Sequence, residues 1–184
     1  HTDHYLGQSQ LAENFRVRKR QVGLTAGMTI RFGKDENVWL ETLWPLTLEE
    51  DPQQEENRSC SVFMLHYRGY RVLITGDLDS EGELAMLRYY EENNETDRLR
   101  ADVLKVGHHG SKTSSAAAFL DVVNPRITVI QVGRNNYGHP SPEILKRFAA
   151  RGILVFRNDL HGAIGLKFQG KNGIRVDTMR KVSA

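Results

Sequence analysis

Short apolar runs separated by polar turns mark the first part of the chain, and this pattern predicts β-strands. The runs lie at residues 28–32, 38–43, 61–67 and 70–75. Arg68-Gly69 separates the last two runs, which predicts a short hairpin. Residues 45–56 are acidic and contain proline, so we expect a surface loop there.

Strand and helix patterns alternate in the second part of the chain. A helix is predicted from Ser80, because Ser80 and Glu83 fit a capping box and apolar residues then recur with helical spacing. A later helix is predicted to run from Pro142 to about Arg151, with Ser141 as its cap. The remaining predicted elements are a helix at 116–123 and strands at 103–106, 127–132, 153–156, 163–168 and 174–177. A β-rich half followed by β-α-β-α-β predicts an α/β sandwich with mixed sheets and helices outside.

Composition narrows the class of protein. The 184 residues are 26% charged and 39% hydrophobic, which is typical of one folded domain with a sizeable core. A net charge of +2 does not by itself indicate a nucleic-acid partner. Cys60 is the single cysteine, so an intrachain disulfide and a cysteine-based zinc site are excluded, and a small core residue is expected.

The first residues look like the middle of a motif. The chain begins at His1 without a Met, so we interpret it as a fragment of a larger protein and draw nothing from missing targeting segments. His1, Asp3 and His4 offer imidazole and carboxylate donors that suit Zn, Mn or Fe. A basic run follows at residues 16–20, which is either a solvated face or a contact to phosphate.

Three polar insertions follow predicted strands and concentrate the candidate chemistry. Asp77 follows the strand at 70–75, as a carboxylate at the sheet edge or as a helix cap. His108 and His109 follow the next strand, and two adjacent imidazoles cannot both point into one core. His139 lies in a loop stiffened by two prolines. The remaining candidates are Ser111 and Lys112, donors for an anion before a helix start, whereas His66 and His161 are interpreted as structural.

Together these motifs resemble the metallo-β-lactamase fold. The motifs are H-x-D-H at the start, a strand ending in T-G-D, then H-H-G-S-K and G-H-P-S-P-E. They resemble in particular the C-terminal domain of ComEC-type competence proteins, which are DNA-internalisation channels of bacterial membranes. The resemblance implies an αββα sandwich, truncated at its N-terminus, with residues 1–184 as one domain of a membrane protein on the outer face of the cell membrane.

The resemblance also implies roles for individual residues. His1, Asp3 and His4 match the family's H-x-[HD]-x-D-H metal motif, Asp77 matches the bridging carboxylate and His139 the late histidine ligand. These five residues imply one or two divalent ions, Zn or Mn, and no small-molecule cofactor. Asn57-Arg58-Ser59 stands where the fold's middle metal histidine is expected, so one metal position is ligand-poor.

The resemblance implies a metal-dependent phosphodiesterase, a nuclease that degrades the non-imported DNA strand during natural transformation. His108 or His109 would act in catalysis beside Asp77, and Ser111 and Lys112 would bind the substrate phosphate. Its partners would be DNA and the membrane channel of the same parent protein. Two alternatives stay open: a metallo-hydrolase of a small ester or phosphodiester, and a catalytically silent DNA-binding module of the uptake channel.

Overall fold

A computed structural model describes residues 23–47, 60–170 and 173–181 of the chain. Within these ranges seven strands form one sheet, in the order in which they occur in the sequence. They are β1 (Thr29–Arg31), β2 (Val38–Trp44), β3 (Val62–Tyr67), β4 (Tyr70–Ile74), β5 (Val103–Lys105), β6 (Ile127–Ile130) and β7 (Leu154–Arg157). Strands β1 to β4 pair antiparallel, and β4 to β7 pair parallel. The predicted mixed α/β architecture is confirmed.

Four helices and a second small sheet complete the described part. The helices are α1 (Ser80–Glu92), α2 (Ala117–Val123), α3 (Pro142–Ala149) and the single-turn α4 (Asn158–His161). Strands β8 (Ile164–Gln169) and β9 (Gly173–Thr178) pair antiparallel as a separate hairpin. None of the helices in the described ranges is long and apolar enough to cross a lipid bilayer.

The seven-stranded sheet is covered on both faces. On one face, Leu73, Leu104 and Ile130 share a buried cluster with Tyr90 of α1 and Phe119 of α2. On the other face, the cluster joins sheet and hairpin residues: Val72, Val103, Ile127, Leu166, Phe168, Ile174 and Val176. Full burial of one such side chain contributes about 1.5–3 kcal/mol, so these two clusters hold the layers together. The predicted burial of the 127–132 run on both faces is thereby confirmed.

The parallel pairing aligns the carboxyl ends of three strands. Ile74 of β4 pairs with Lys105 of β5, which pairs with Val129 of β6, so the three strands end at the same level. The loops after these strands carry Asp77, the double histidine and His139. Ligand sites form at such an edge in open α/β sheets, because successive loops meet there.

The start of α1 corrects the predicted capping box. Asp79 is the N-cap residue, and its Oδ1 accepts a hydrogen bond of 2.8 Å from the backbone N–H of Gly82. The Glu83 side chain bonds to the start of the next helix. Its two carboxylate oxygens accept from the backbone N–H groups of Ser115 and Ala116, at 2.8 and 2.7 Å. The carboxylate therefore ties α1 to the start of α2.

Burial decides the protonation of Glu83. Burial raises the pKa of this carboxyl to about 8, and the charge of Asp79 adds to the rise. The two backbone N–H donors and the charge of Arg147 lower the pKa, but their effect is smaller than that of burial. The ordinary value is 4.5, so the folded chain holds this proton more tightly than the unfolded chain does. Stability from this group is complete below pH 4.5 and is lost as pH rises through about 8.

We therefore expect Glu83 to give stability a negative slope with pH. The free energy of unfolding should fall by up to about 1.4 kcal/mol per pH unit from this group between pH 4.5 and about 8. Urea unfolding at several pH values measures the slope, and Glu83→Gln, which cannot titrate, provides the reference. Equal slopes for the two proteins would contradict the expectation.

Candidate functional site

The double histidine forms a tight left-handed turn. The φ angles of His108, His109 and Gly110 are 45°, 54° and 78°, and residues other than glycine adopt such values at a cost of about 1–3 kcal/mol each. Backbone hydrogen bonds hold the turn, from His108 N–H to the Gly76 carbonyl at 3.2 Å and from Ser111 N–H to the His108 carbonyl at 2.9 Å. The turn aims the two imidazoles in different directions.

His109 faces the predicted carboxylate. Its Nδ1 lies 2.6 Å from the backbone carbonyl of Gln131, and a carbonyl only accepts, so Nδ1 carries a proton. Its Nε2 lies 3.8 Å from Oδ1 of Asp77, and both side chains are about half exposed. A polar, solvent-accessible pair of this kind can exchange a proton with a ligand.

The imidazole rings of His108 and His139 pack against each other. Their ring centroids lie 5.9 Å apart in an edge-to-face arrangement. The Nδ1 of His108 is buried and has no hydrogen-bond partner among the described residues. Burial, with added repulsion from His108 and His109, lowers the pKa of His139, which favours the neutral imidazole.

Gly110 brings the two histidine loops into contact. A Cβ at Gly110 would lie 2.7 Å from Cβ of Pro140, closer than atoms of this kind approach. The Gly110 carbonyl also accepts a hydrogen bond of 2.8 Å from the backbone N–H of Ser141. Glycine at this position is therefore what allows the double-histidine turn to sit directly on the loop that carries His139.

Lys105 lies at the site and was not among the candidate residues predicted from the sequence. It lies at the end of β5, where its Nζ donates a hydrogen bond of 2.8 Å to the carbonyl of Gly76. Burial lowers the pKa of this ammonium, and the charge of Asp77 opposes that shift. Lys105 therefore fixes the turn that presents Asp77. The sequence signal that could have identified Lys105 is a lysine at the carboxyl end of an apolar strand.

At the predicted phosphate site before α2, fewer backbone N–H groups are free to bind an anion than the sequence predicted. The N–H groups of Ser115 and Ala116 donate to the Glu83 carboxyl group, so these donors are already used. Ser111 is buried, and its hydroxyl lies 3.0 Å from the hydroxyl of Thr113. Lys112 is exposed, and its predicted contact with phosphate stays a prediction.

The described residues supply part of a metal-donor set. Asp77, His109, His139 and the unpartnered nitrogen of His108 are donors of the kinds that suit Zn or Mn. Within the described ranges, no group of three or more His, Cys, Asp or Glu side chains is close enough to hold an ion. The predicted ligands His1, Asp3 and His4 lie outside the described residues, as do the basic run at 16–20 and Asn57-Arg58-Ser59.

Three further residues have structural roles, as predicted from the sequence: His66, His161 and Cys60. His66 stacks on Trp39 with ring centroids 4.4 Å apart, and its Nε2 lies 2.8 Å from Oε2 of Glu41. His161 is the last residue of α4, and its Nδ1 lies 3.0 Å from the backbone nitrogen of Arg157. Cys60 is half-buried against the main core cluster, and burial raises the pKa of its thiol.

Comparisons with known proteins show which proteins this chain is similar to. ComE operon protein 3 of Bacillus subtilis is 33% identical over 129 residues, which are 70% of this chain and 16% of the relative. Competence protein ComA of Neisseria gonorrhoeae is 36% identical over 127 residues, which are 68% of this chain and 18% of the relative. The chain thus spans less than a fifth of the length of either relative.

The resemblance to ComEC-type competence proteins is confirmed by these relatives. Recombination protein 2 of Haemophilus influenzae is also similar, 32% identical over 98 residues, which are 53% of this chain and 11% of that protein. The sequence profile described as Metallo-beta-lactamase superfamily matches residues 1–134. The chain therefore belongs to the metallo-beta-lactamase superfamily, as its motifs predicted.

Proposed function

We propose that this chain is a metal-dependent phosphodiesterase that acts on DNA during uptake. The observation that carries the proposal is the meeting of Asp77, the double-histidine turn and the His139 loop at one edge of the sheet. Membership of a superfamily that is usually hydrolytic supports hydrolysis, and the similarity to ComE operon protein 3 and to competence protein ComA supports DNA as the substrate. The specific role would be degradation of the DNA strand that is not imported.

Each site residue has a proposed part in the reaction. Asp77 and His139, with Asp3 and His4 and with His1 for a second ion, would hold one or two divalent ions, Zn or Mn. A bound divalent cation supplies Lewis acidity and lowers the pKa of water.

His109 and Lys112 would act on the phosphodiester itself. His109 is better placed than His108 to protonate the leaving oxygen, because the His109 side chain is half exposed and the His108 Nδ1 is buried. The exposed ammonium of Lys112 would stabilise negative charge on the phosphate oxygens.

The setting in the cell is part of the proposal. The matched segments are 16% and 18% of the two relatives, so we place residues 1–184 as one domain of a longer membrane protein. This domain would lie on the outer face of the cell membrane, beside the channel portion of the same parent protein. Protease digestion of intact cells tests the placement, since only a domain on the outer face would be cleaved.

Cleavage of labelled DNA tests the enzymatic proposal. Protein that carries the complete first metal motif is incubated with single- and double-stranded DNA and with Mn²⁺ or Zn²⁺, with and without a chelator. Cleavage that needs the ion supports a nuclease. If DNA stays intact while small phosphodiesters are cleaved, the substrate assignment is wrong.

A catalytically silent DNA-binding module is the second candidate. The sequence observation that favours it is Asn57-Arg58-Ser59, which stands where the fold's middle metal histidine is expected. Metal analysis of protein with the complete first motif separates the two functions. A protein without bound metal, whose DNA binding survives a chelator, would be the silent module.

A further inference from the structure

Tyr137 is an aromatic side chain that the core does not use. It lies in the loop between β6 and α3, and 85% of its surface is exposed. One face of its ring stacks on the imidazole of His139, with ring centroids 6.0 Å apart and planes 26° apart. The opposite face of the ring is open to solvent, directly beside the candidate site.

Hydrogen bonds from the Asn135 side chain hold the backbone of the loop that carries Tyr137. Asn135 Oδ1 accepts from the backbone N–H groups of Tyr137 and His139, at 3.1 and 3.0 Å. Asn135 Nδ2 donates to the carbonyls of Gly133 and His139, at 2.9 and 2.8 Å. One side chain thus fixes the backbone of the turn that carries the exposed ring. Such preorganisation lowers the entropy lost when a ligand binds.

We propose that Tyr137 is a stacking platform that binds an unpaired nucleobase of single-stranded DNA beside the candidate site. Aromatic side chains bind single strands in this way, because every base has a flat π-face and stacking needs no particular sequence. His139 lies against the other face of the Tyr137 ring, with ring centroids 6.0 Å apart, so a base on the open face lies one stacking distance beyond the ring. The strand that carries this base would pass the His139 loop and bring a nearby phosphate to the candidate site. The inference rests on the proposed function and specifies its substrate.

The substrate class follows from this geometry. Bases inside a duplex are already stacked on their neighbours, so their flat faces are not available to Tyr137. The chain should prefer single-stranded DNA, overhangs and frayed ends to blunt duplex. Sequence preference should be weak, since stacking does not read the hydrogen-bonding edges of the bases.

Binding measured without cleavage tests the inference. Short single-stranded oligonucleotides with 2-aminopurine at successive positions are titrated with the chain, without divalent ions, and both fluorescence and anisotropy are followed. Stacking on Tyr137 should quench the probe at one position, and Tyr137→Ala should weaken binding about tenfold and abolish that quenching. Tyr137→Phe keeps the ring and should bind as the unaltered chain does.

A matched control separates the stacking face from any exposed aromatic ring. Phe32 is 49% exposed beside β1, at the opposite edge of the sheet, and Phe32→Ala should leave binding unchanged. An oligonucleotide without a base at the quenched position distinguishes stacking from a displaced His139. With that oligonucleotide, the unaltered chain and Tyr137→Ala should bind equally. A tenfold difference that persists would overturn the inference.

The outcomes for this inference and for the proposed function are separate. If the chain binds single strands through Tyr137 and cleaves none of them, the nuclease proposal fails and the stacking platform stands. If the chain cleaves DNA and Tyr137→Ala binds single strands as well as the unaltered chain does, the platform fails and the nuclease stands. Failure of the unaltered chain to bind single-stranded DNA overturns the platform outright.

Discussion

Replacing Asp77 with alanine is expected to reduce metal-dependent DNA cleavage by at least about a hundredfold, the loss typical when a key electrostatic group is removed from an active site. The Asp77 carboxylate lies 3.8 Å from His109 Nε2 at the edge where the strand loops meet. Its side chain is half exposed and outside the buried clusters, so the free energy of unfolding should change by only about 0.5 kcal/mol. Cleavage rates at saturating Mn²⁺ and urea unfolding measure the two effects.

Asp79 provides the matched control for this experiment. It is an aspartate two positions away, but it is buried and caps α1. Asparagine caps helices about as well as aspartate does, so Asp79→Asn should keep both fold and cleavage. If Asp77→Ala and Asp79→Asn lose cleavage equally, or if neither loses it, Asp77 has no special role in the reaction.

Gly110→Ala is expected to damage stability and activity together. An alanine there would adopt a φ of 78° and would place its Cβ 2.7 Å from Cβ of Pro140. The backbone penalty and the clash should each cost about 1–3 kcal/mol, and so together about 2–6 kcal/mol of stability. Relief of the clash must separate the double-histidine turn from the loop that carries His139, so cleavage should fall about tenfold or more even where the protein stays folded.

Gly152→Ala isolates the clash from the backbone penalty. Gly152 has a φ of 65°, and a Cβ there would meet nothing within 4 Å. It follows α3 and lies away from the three loops of the site. Gly152→Ala should therefore cost less stability than Gly110→Ala and should leave cleavage unchanged. Thermal unfolding and cleavage rates of both variants measure the difference, and a similar loss of activity in both would rule out the contact with Pro140 as the cause.

The periodic part of the fold could be predicted from the sequence because it depends on local patterns. Strands and helices appear where the apolar spacing placed them, and Ser141 caps α3 as predicted. Several strands end one or two residues earlier than predicted, as β6 does at Ile130. The residues that follow leave the sheet to form the site loops, and apolar content alone does not mark that departure. The single-turn α4 was missed, since four residues carry no helical period.

The contacts that build the site could be predicted only in part. The motifs identified Asp77, the double histidine and His139, because polar residues after buried strands collect at one sheet edge. The partner of Glu83 could not be found from local spacing, since Ser115 lies 32 positions away in the chain. The Gly110 contact with Pro140 is also a property of the assembled loops.

The backbone bonds between the three loops have a consequence for motion. The double-histidine turn is joined to the Asp77 loop through the Gly76 carbonyl and to the His139 loop through the Gly110 carbonyl. Loops joined in this way open together, as one cooperative unit with a single opening free energy. The amide hydrogens of His108 and Ser141 would then exchange with solvent at matching protection. A disturbance that loosens one loop would reach the other two without any contact to substrate.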